Sequence, residues 1–316
     1  MLINRRFLFI IIQHTCTMKI YYGNKDSWSD VTQVCFEKLR YHNYILIPAC
    51  DINRTVFFGD PLFGIVKLIR IVSSTDQTYD QTANIKINIE TETIEVKSYT
   101  DKTVENKLLA LHKQLTFKYG SLRDEFPEQR MVAHYFTGKE TVLEIGGNIG
   151  RNSLIIASLV DNTKFVVLEC DPISYNQLVE NRDGNQFEFA IENAALSEEK
   201  LIQKGWETRP SDTLPDGYNW VNTISYQSFQ DKYPLQFDTL VLDCEGAFYF
   251  ILKSMPTILD NIKLILVEND YTDMKHKIFV DNHLRSLGFY RDYVEPTDLD
   301  WLPCRYFFFE VWTRGT

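Results

Sequence analysis

Apolar residues follow two different patterns along this chain, and the pattern changes near residue 141. After that position, short apolar runs alternate with segments whose apolar residues recur at helical spacing. The runs Leu240–Leu242 and Leu264–Val267 are continuously apolar, which is typical of strands buried on both faces of a parallel sheet. The second half of the chain is therefore predicted to be an α/β domain whose mostly parallel sheet is covered by helices.

Seven strands and four helices are predicted in this α/β domain. The strands are expected at residues 141–145, 165–169, 187–190, 237–243, 262–268, 289–293 and 306–312. The helices are expected at residues 152–160, 173–181, 248–255 and 273–287. No helix separates the last two predicted strands, so we expect the sheet to end in an antiparallel edge.

The part of the chain before residue 141 is predicted to be mostly β, followed by two helices. Residues 84–96 alternate, with Ile85, Ile87 and Ile89 on one face, which predicts a hairpin. Helices are expected at residues 103–115 and 127–136. We therefore expect an extension or leader at 1–18, a smaller mostly β domain at 19–98, a helical connector at 99–140 and the α/β domain at 141–316.

The net charge of the chain points away from nucleic acids as partners. It is −10, with a pI near 5.2, and no run is rich in Lys or Arg. Proteins that bind RNA or DNA normally carry a basic surface, because phosphate contacts dominate that affinity. We therefore expect no nucleic-acid partner, and a small molecule, a sugar or an uncharged polymer as the substrate.

The first residues resemble the charged and apolar parts of a signal peptide, but the apolar part, Phe7–Ile12, is short. A signal peptide normally has roughly 7–15 apolar residues there, and a membrane span needs about 20. We therefore favour an extension at Met1, with Met18 as the alternative start, and expect a cytoplasmic protein with no membrane span. Secretion stays open as the alternative.

The six cysteines form no C-x-x-C pair, so no zinc site is expected. Cys170 and Cys244 end apolar runs, and we interpret them as reduced thiols in the core. Reduced thiols agree with a reducing compartment.

A glycine-rich loop follows the first predicted strand of the α/β domain and precedes its first helix. Glu144 ends the strand, and Gly146, Gly147, Asn148 and Gly150 follow in the spacing E-x-G-x-x-x-G. The glycines permit a tight turn and a close approach by a ligand. The G-x-G-x-x-G spacing of dinucleotide sites is absent, and an acid at the strand end would repel a pyrophosphate. That acid suits the amino group and sulfonium of S-adenosylmethionine, although a plain strand-turn-helix is the alternative.

A second acid strengthens the prediction of a nucleoside-type cofactor. Glu169 ends the next strand, 23 positions after Gly146, where a carboxylate can accept hydrogen bonds from both ribose hydroxyls. After the third strand, Asn193 or Glu192 is expected to bind the edge of the adenine, with a solvent-facing loop residue as the alternative. S-adenosylmethionine is therefore the predicted cofactor.

Two further acids, Asp243 and Glu245, follow the fourth strand at the edge where the reaction crevice of such sheets lies. Either could take the proton that an acceptor hydroxyl loses, so both are candidate catalytic residues. The alternative is that Asp243 orients the cofactor and Glu245 caps the next helix. Glu268 ends the fifth strand and could bind the acceptor. The predicted site holds no metal, although Asp243, Glu245, Glu268 and Asp270 remain a possible set of oxygen ligands.

These motifs together resemble the FkbM family of methyltransferases. The resemblance covers about residues 126–268, and it lies in Glu144–Gly150, Glu169–Pro172, Ala195–Ser197 and Asp243–Gly246. It implies a Rossmann-like class I methyltransferase with a seven-stranded sheet. The implied activity is methyl transfer from S-adenosylmethionine to a hydroxyl of a sugar, a glycan or another small molecule. Glu144 stands where the family more often has Asp, and Cys170 where it often has Pro.

Two other functions stay open. The α/β domain could be a catalytically degenerate module that binds a glycan or a protein partner, and its affinity for S-adenosylmethionine would separate that function from catalysis. An NAD-dependent oxidoreductase is disfavoured, because the dinucleotide spacing of glycines is missing.

Overall fold

The computed structural model describes residues 18–205 and 207–315. The predicted extension or leader lies outside the described residues, apart from the buried Met18. Among the described helices, none is both long and apolar enough to cross a membrane.

The region before residue 99 contains eight strands and two helices. The strands are β1 (Lys19–Asn24), β2 (Ser27–Asp30), β3 (Arg40–Tyr41), β4 (Tyr44–Ile47), β5 (Leu68–Val72), β6 (Asp76–Tyr79), β7 (Ala83–Asn88) and β8 (Ile94–Ser98). They form two antiparallel sheets with the strand orders β2-β1-β5-β6 and β3-β4-β7-β8. The helices are α1 (Thr32–Lys38) and α2 (Asp51–Phe58), of which α2 was not predicted. The predicted hairpin is confirmed, because Ile85 pairs with Val96 across β7 and β8.

The described chain has two hydrophobic cores. The first lies between the two small sheets and draws its residues from Met18 to Ile87. The second belongs to the α/β domain, but α3 (Lys102–His112) and α4 (Phe126–Tyr135) also contribute Leu108 and Val132 to it. The predicted connector therefore packs with the α/β domain, while the domain boundaries at residues 98 and 140 stay predictions.

The α/β domain is built on a seven-stranded sheet. Its strands are β9 (Val142–Ile145), β10 (Phe165–Leu168), β11 (Ala190–Glu192), β17 (Thr239–Leu242), β18 (Leu264–Glu268), β19 (Phe289–Glu295) and β20 (Phe309–Arg314). The strand order is β11-β10-β9-β17-β18-β20-β19, with the first five parallel and β20 antiparallel to both of its neighbours. The predicted fold class, a Rossmann-like class I methyltransferase sheet preceded by a smaller mostly β region, is confirmed.

Helices connect the parallel strands, and the start of each helix lies close to the loop that leaves the preceding strand. They are α5 (Arg151–Ala157), α6 (Pro172–Gly184), α7 (Tyr226–Lys232), α8 (Phe248–Ser254) and α9 (Met274–Ser286). Asp171 caps α6 by accepting hydrogen bonds from the backbone N–H groups of Ile173 and Ser174, and Pro172 occupies its first turn. The end of β10 is thereby held close to the start of α6.

The structure differs from the prediction between the third and fourth strands of the sheet. Strand β11 begins at Ala190, not at residue 187. Phe189, just before it, is buried, and its ring centroid lies 4.8 Å from that of Phe165. An unpredicted insertion follows, consisting of β12 (Ala195–Leu196), β13 (Leu201–Lys204), β14 (Glu207–Pro210), β15 (Asn219–Val221) and β16 (Thr223–Ile224). Strands β13, β14 and β15 form a small antiparallel sheet beside the main one.

The mostly β region is attached to the edge of the main sheet at β19. The Asn84 side chain donates to the Val294 carbonyl and accepts from the Val294 N–H. Lys97 forms an ion pair with the buried Asp292 at 2.8 Å. These contacts lie at the opposite edge of the sheet from β11, away from the glycine-rich loop.

Candidate functional site

An open cleft lies at the carboxyl ends of the parallel strands, with about 780 Å³ of empty space. It is within the size range of small-molecule and cofactor sites. The predicted site residues that line it are Gly146, Asn148, Glu169, Asp243 and Glu245. The structure therefore brings together residues from the ends of three strands that are far apart in the sequence.

The glycine-rich loop owes its glycines to the packing of the protein itself. Gly146 has φ +92°, and a Cβ there would overlap the carbonyl oxygen of Asp243. Gly150 has φ +94°, and a Cβ there would overlap Leu178 of α6. Gly147 is likewise packed against Val167. Close approach by a ligand was the expected reason for these glycines, and the close approach seen is by the protein's own atoms. Cofactor contacts from Gly147 and Gly150 stay predictions.

Glu169 is held in one orientation at the mouth of the cleft. Its carboxylate accepts hydrogen bonds from the backbone N–H groups of Asn148, at 2.6 Å, and Asp171, at 2.7 Å. The side chain is 8% exposed, and burial raises its pKa above the usual range. The glycine-rich loop and the start of α6 thus fix the carboxylate that was predicted to bind ribose.

Four predicted cofactor residues, Glu144, Gly147, Gly150 and Asn193, are not among the described residues that line the cleft. Glu144 is 2% exposed beneath the glycine-rich loop and accepts a hydrogen bond from the Ser153 hydroxyl at 2.5 Å. Burial raises the pKa of Glu144 to about 8. The Asn193 amide donates to the Glu169 carbonyl at 2.8 Å. The Glu144 and Asn193 side chains support the walls of the cleft, and direct contacts with a cofactor stay predictions.

The two predicted catalytic acids differ in their surroundings. Asp243 is half-buried under Gly146, and burial together with the nearby Glu268 raises its pKa well above the usual range. Glu245 is exposed and lines the cleft, and its pKa is raised to about 7 by partial burial and by repulsion from Asp270. The N-cap residue of α8 is Ala247, with no side-chain cap, so Glu245 does not cap that helix.

Asp243 belongs to two overlapping groups of carboxylates, which we call the acid cluster. One group consists of Glu125, Glu128 and Asp243, and the other of Asp243, Glu268 and Asp270. Within each group the ligand oxygens lie within 4.8 Å of one another. Three members come from the predicted oxygen-ligand set, but Glu245 is in neither group. Sequence patterns gave no signal for Glu125 and Glu128, because they lie at the start of α4, before the α/β domain begins.

Strand register explains why acids from different strands meet. Glu144 pairs with Val241, which pairs with Leu266, across β9, β17 and β18. Side chains two residues apart lie on the same face of a strand, so Glu268 extends from the face of Leu266. That face is covered by α4, which carries Glu128.

The cysteines agree with the prediction in being free thiols, but two of them differ from it in their burial. The five described cysteines are all free thiols, as expected. Cys170 and Cys244 were interpreted as core residues, but both are half-buried and line the cleft. They follow the ends of β10 and β17, where the apolar runs that suggested burial have just ended.

A second cavity adjoins the cleft between α8 and the inserted small sheet. It has about 780 Å³ of empty space and shares Leu196, Leu201, Thr208, Ala247 and Ile251 with the cleft. Phe250 and Met255 of the α8 side complete a mostly apolar wall. The insertion that the sequence pattern did not predict therefore shapes the space next to the cleft.

No family model matches the chain, and no curated protein matches it. The resemblance to the FkbM family therefore stays a prediction.

Solved structures do resemble it, at low sequence identity. An rRNA methylase from Streptococcus thermophilus is 9% identical, covering 60% of this chain and 94% of that one, with a TM-score of 0.40. A ribosomal protein L11 methylase from Lactobacillus delbrueckii subsp. bulgaricus is 10% identical, covering 63% and 82%, with a TM-score of 0.40. Sp1610 from Streptococcus pneumoniae, in complex with S-adenosyl-L-methionine, is 13% identical, covering 60% and 72%, with a TM-score of 0.37. Likenesses this distant concern the fold alone.

Proposed function

We propose that the protein is an S-adenosylmethionine-dependent methyltransferase whose cofactor lies in the cleft. The observation that carries the proposal is the placement of Glu169. Its carboxylate is fixed at the end of β10 beside the glycine-rich loop. A ribose bound at this strand end would offer two hydroxyl donors to that carboxylate.

The charge of the cleft supports a cationic cofactor over a dinucleotide. The described residues that line the cleft include Glu169, Asp171, Asp243 and Glu245, and no Lys, Arg or His. A pyrophosphate would meet four carboxylates there without a cation to bind it. The sulfonium and amino groups of S-adenosylmethionine would be attracted instead.

We further propose O-methyl transfer, with a hydroxylated small molecule or a glycan as acceptor, as in FkbM-like enzymes. The second cavity adjoins the cleft, and could hold an acceptor next to the cofactor. Alignment of the hydroxyl with the sulfonium would supply most of the rate enhancement. Asp243 and Glu245 lie in the cleft where they can receive the hydroxyl proton.

The activity is tested by incubating the full chain with S-adenosylmethionine labelled in its methyl group. Glycans, hydroxylated small molecules and RNA serve as separate acceptor pools, and mass spectrometry detects the labelled methyl. We expect one methyl on a hydroxyl of a glycan or small molecule, and slower transfer by Asp243→Asn and Glu245→Gln. Methylation of RNA alone would overturn the acceptor class. Cofactor binding without transfer to any pool would favour the degenerate binding module.

A further inference from the structure

The acid cluster has the geometry of an oxygen-ligand metal site. Hard divalent cations lie about 2.0–2.6 Å from their oxygen ligands, so ligands on one ion are at most about 4–5 Å apart. The carboxylate oxygens of both groups in the cluster meet that condition, and Asp243 is common to both groups. The cluster includes neither His nor Cys, and a set of oxygens alone suits Mg²⁺, Mn²⁺ or Ca²⁺ better than zinc.

The charges of the acid cluster are poorly compensated. Arg151 forms an ion pair with Glu125 at 2.6 Å. Among the described residues, no Lys or Arg is within ion-pair distance of the other four members, Glu128, Asp243, Glu268 and Asp270. Like charges gathered in a partly buried site repel one another, and a bound cation removes that repulsion.

An independent observation comes from Asn152, which is not an acid. Its side chain is 9% exposed, and its Oδ1 has no hydrogen-bond partner among the described residues. A buried amide oxygen without a partner is unfavourable, so an unpaired one indicates a binding site.

Asn152 faces the acid cluster across a small internal cavity. Together with Glu128, Asp243 and Glu268 it lines about 200 Å³ of empty space between α4, α5 and the ends of β17 and β18. Glu128 is 4% exposed, and its Oε1 also has no partner among the described residues. Two buried oxygens from different helices are therefore unpaired at the same cavity.

We propose that the acid cluster binds a hard divalent cation, Mg²⁺ or Mn²⁺, at Asp243, with carboxylates of both groups and the Asn152 amide oxygen around it. The site does not depend on methyl transfer, since Glu128, Glu268 and Asn152 are not among the described residues that line the cleft. Asp243 also lines the cleft, so the cation lies next to the space assigned to cofactor and acceptor. That neighbourhood has a role in catalysis only if the proposed function is correct.

The test is a titration of the full chain with Mn²⁺ alone, without cofactor, followed by electron paramagnetic resonance of the free ion. The variants are Glu128→Gln and Asp243→Asn, which keep side-chain shape and remove one charge. Glu245→Gln is the matched control, because it removes an acid from the same loop that is in neither group. We expect wild type and control to bind one ion equally, and the two variants to bind it about tenfold or more weakly.

Thermal melting distinguishes loss of the metal site from a general loss of stability in a variant. Addition of Mn²⁺ is expected to raise the melting temperature of wild type and of Glu245→Gln, and not that of Glu128→Gln. The proposal is overturned if wild type binds no Mn²⁺ at millimolar concentration, or if Glu128→Gln binds it as well as wild type. S-adenosylmethionine binding is measured separately, so failure of the metal site and failure of the proposed function are distinguishable.

Discussion

Two acids on neighbouring strands, the half-buried Glu268 and the fully buried Glu310, have opposite electrostatic surroundings. Val267 pairs with Glu310 and Glu268 pairs with Phe309 across β18 and β20, so the two acids leave opposite faces of the sheet. Glu310 is fully buried and bonds to Lys277 at 2.8 Å and Arg291 at 2.7 Å. Glu268 meets Glu128 and Asp270 instead.

The pKa shifts of these two acids follow from their neighbours. Burial alone would raise the pKa of Glu310, but Lys277 and Arg291 outweigh it and lower the pKa to about 2. Burial and the Glu128 carboxyl both raise the pKa of Glu268. The two glutamates therefore differ in role: Glu310 is a structural ion-pair partner on one face of the sheet, and Glu268 is an uncompensated acid on the other. Uncompensated acids beside a cleft are typical of functional sites.

The largest effect is expected for Glu310→Gln. The substitution leaves Lys277 and Arg291 buried without their shared carboxylate, so the free energy of unfolding should fall by about 3–5 kcal/mol. Urea denaturation at pH 7 measures it. A loss below about 1 kcal/mol would mean that Lys277 and Arg291 find other partners. Glu310 would then not be the structural ion-pair partner that the comparison with Glu268 requires.

Measuring stability as a function of pH tests the ion pairs of Glu310 more closely. The folded-state pKa of Glu310, about 2, lies below the unfolded value near 4.3, so its stabilising contribution is complete above the unfolded pKa. That contribution is lost as the pH falls from about 4.3 towards 2. The stability difference between wild type and Glu310→Gln should therefore shrink in urea melts at pH 4 and pH 3. A difference that stays constant over that range would contradict the pairing.

Substitution of Glu268, on the other face of the sheet, is expected to change the stability less and to increase it. The folded-state pKa of Glu268 is raised above its unfolded value, so the acid destabilises the fold at pH 8. With a chelator present, the neutral side chain of Glu268→Gln should therefore raise the free energy of unfolding by about 1 kcal/mol at that pH. Urea denaturation of both proteins in the same buffer checks the sign. A loss of stability would show that Glu268 is a structural acid like Glu310.

Sequence patterning was sufficient for the architecture of the α/β domain, because buried parallel strands and covering helices leave long, distinct apolar patterns. It missed α2, α7 and the inserted strands β12–β16, which are short and bury few residues each. It also placed the start of the third strand too early, because the apolar run that suggested the strand begins before Ala190, where the pairing begins.

The site was predictable in part for the same physical reason. Carboxyl ends of parallel strands lie at one edge, so Glu169, Asp243 and Glu268 could be expected near each other. Glu128 and Asn152 could not, because their positions depend on how α4 and α5 pack over the sheet. The cofactor contact of Glu144 stays a prediction, and the sequence could not show that its side chain lies beneath the loop, bonded to Ser153.

The most direct test of the central claim is isothermal titration calorimetry of the full chain with S-adenosylmethionine. The proteins compared are wild type, Glu169→Gln and the matched control Glu188→Gln, which changes an exposed acid outside the cleft. Wild type and control should bind with equal affinity. Glu169→Gln should bind about tenfold or more weakly, because two ribose hydrogen bonds lose their charged acceptor. Equal binding by Glu169→Gln, or no binding by wild type at high micromolar cofactor, would contradict the account.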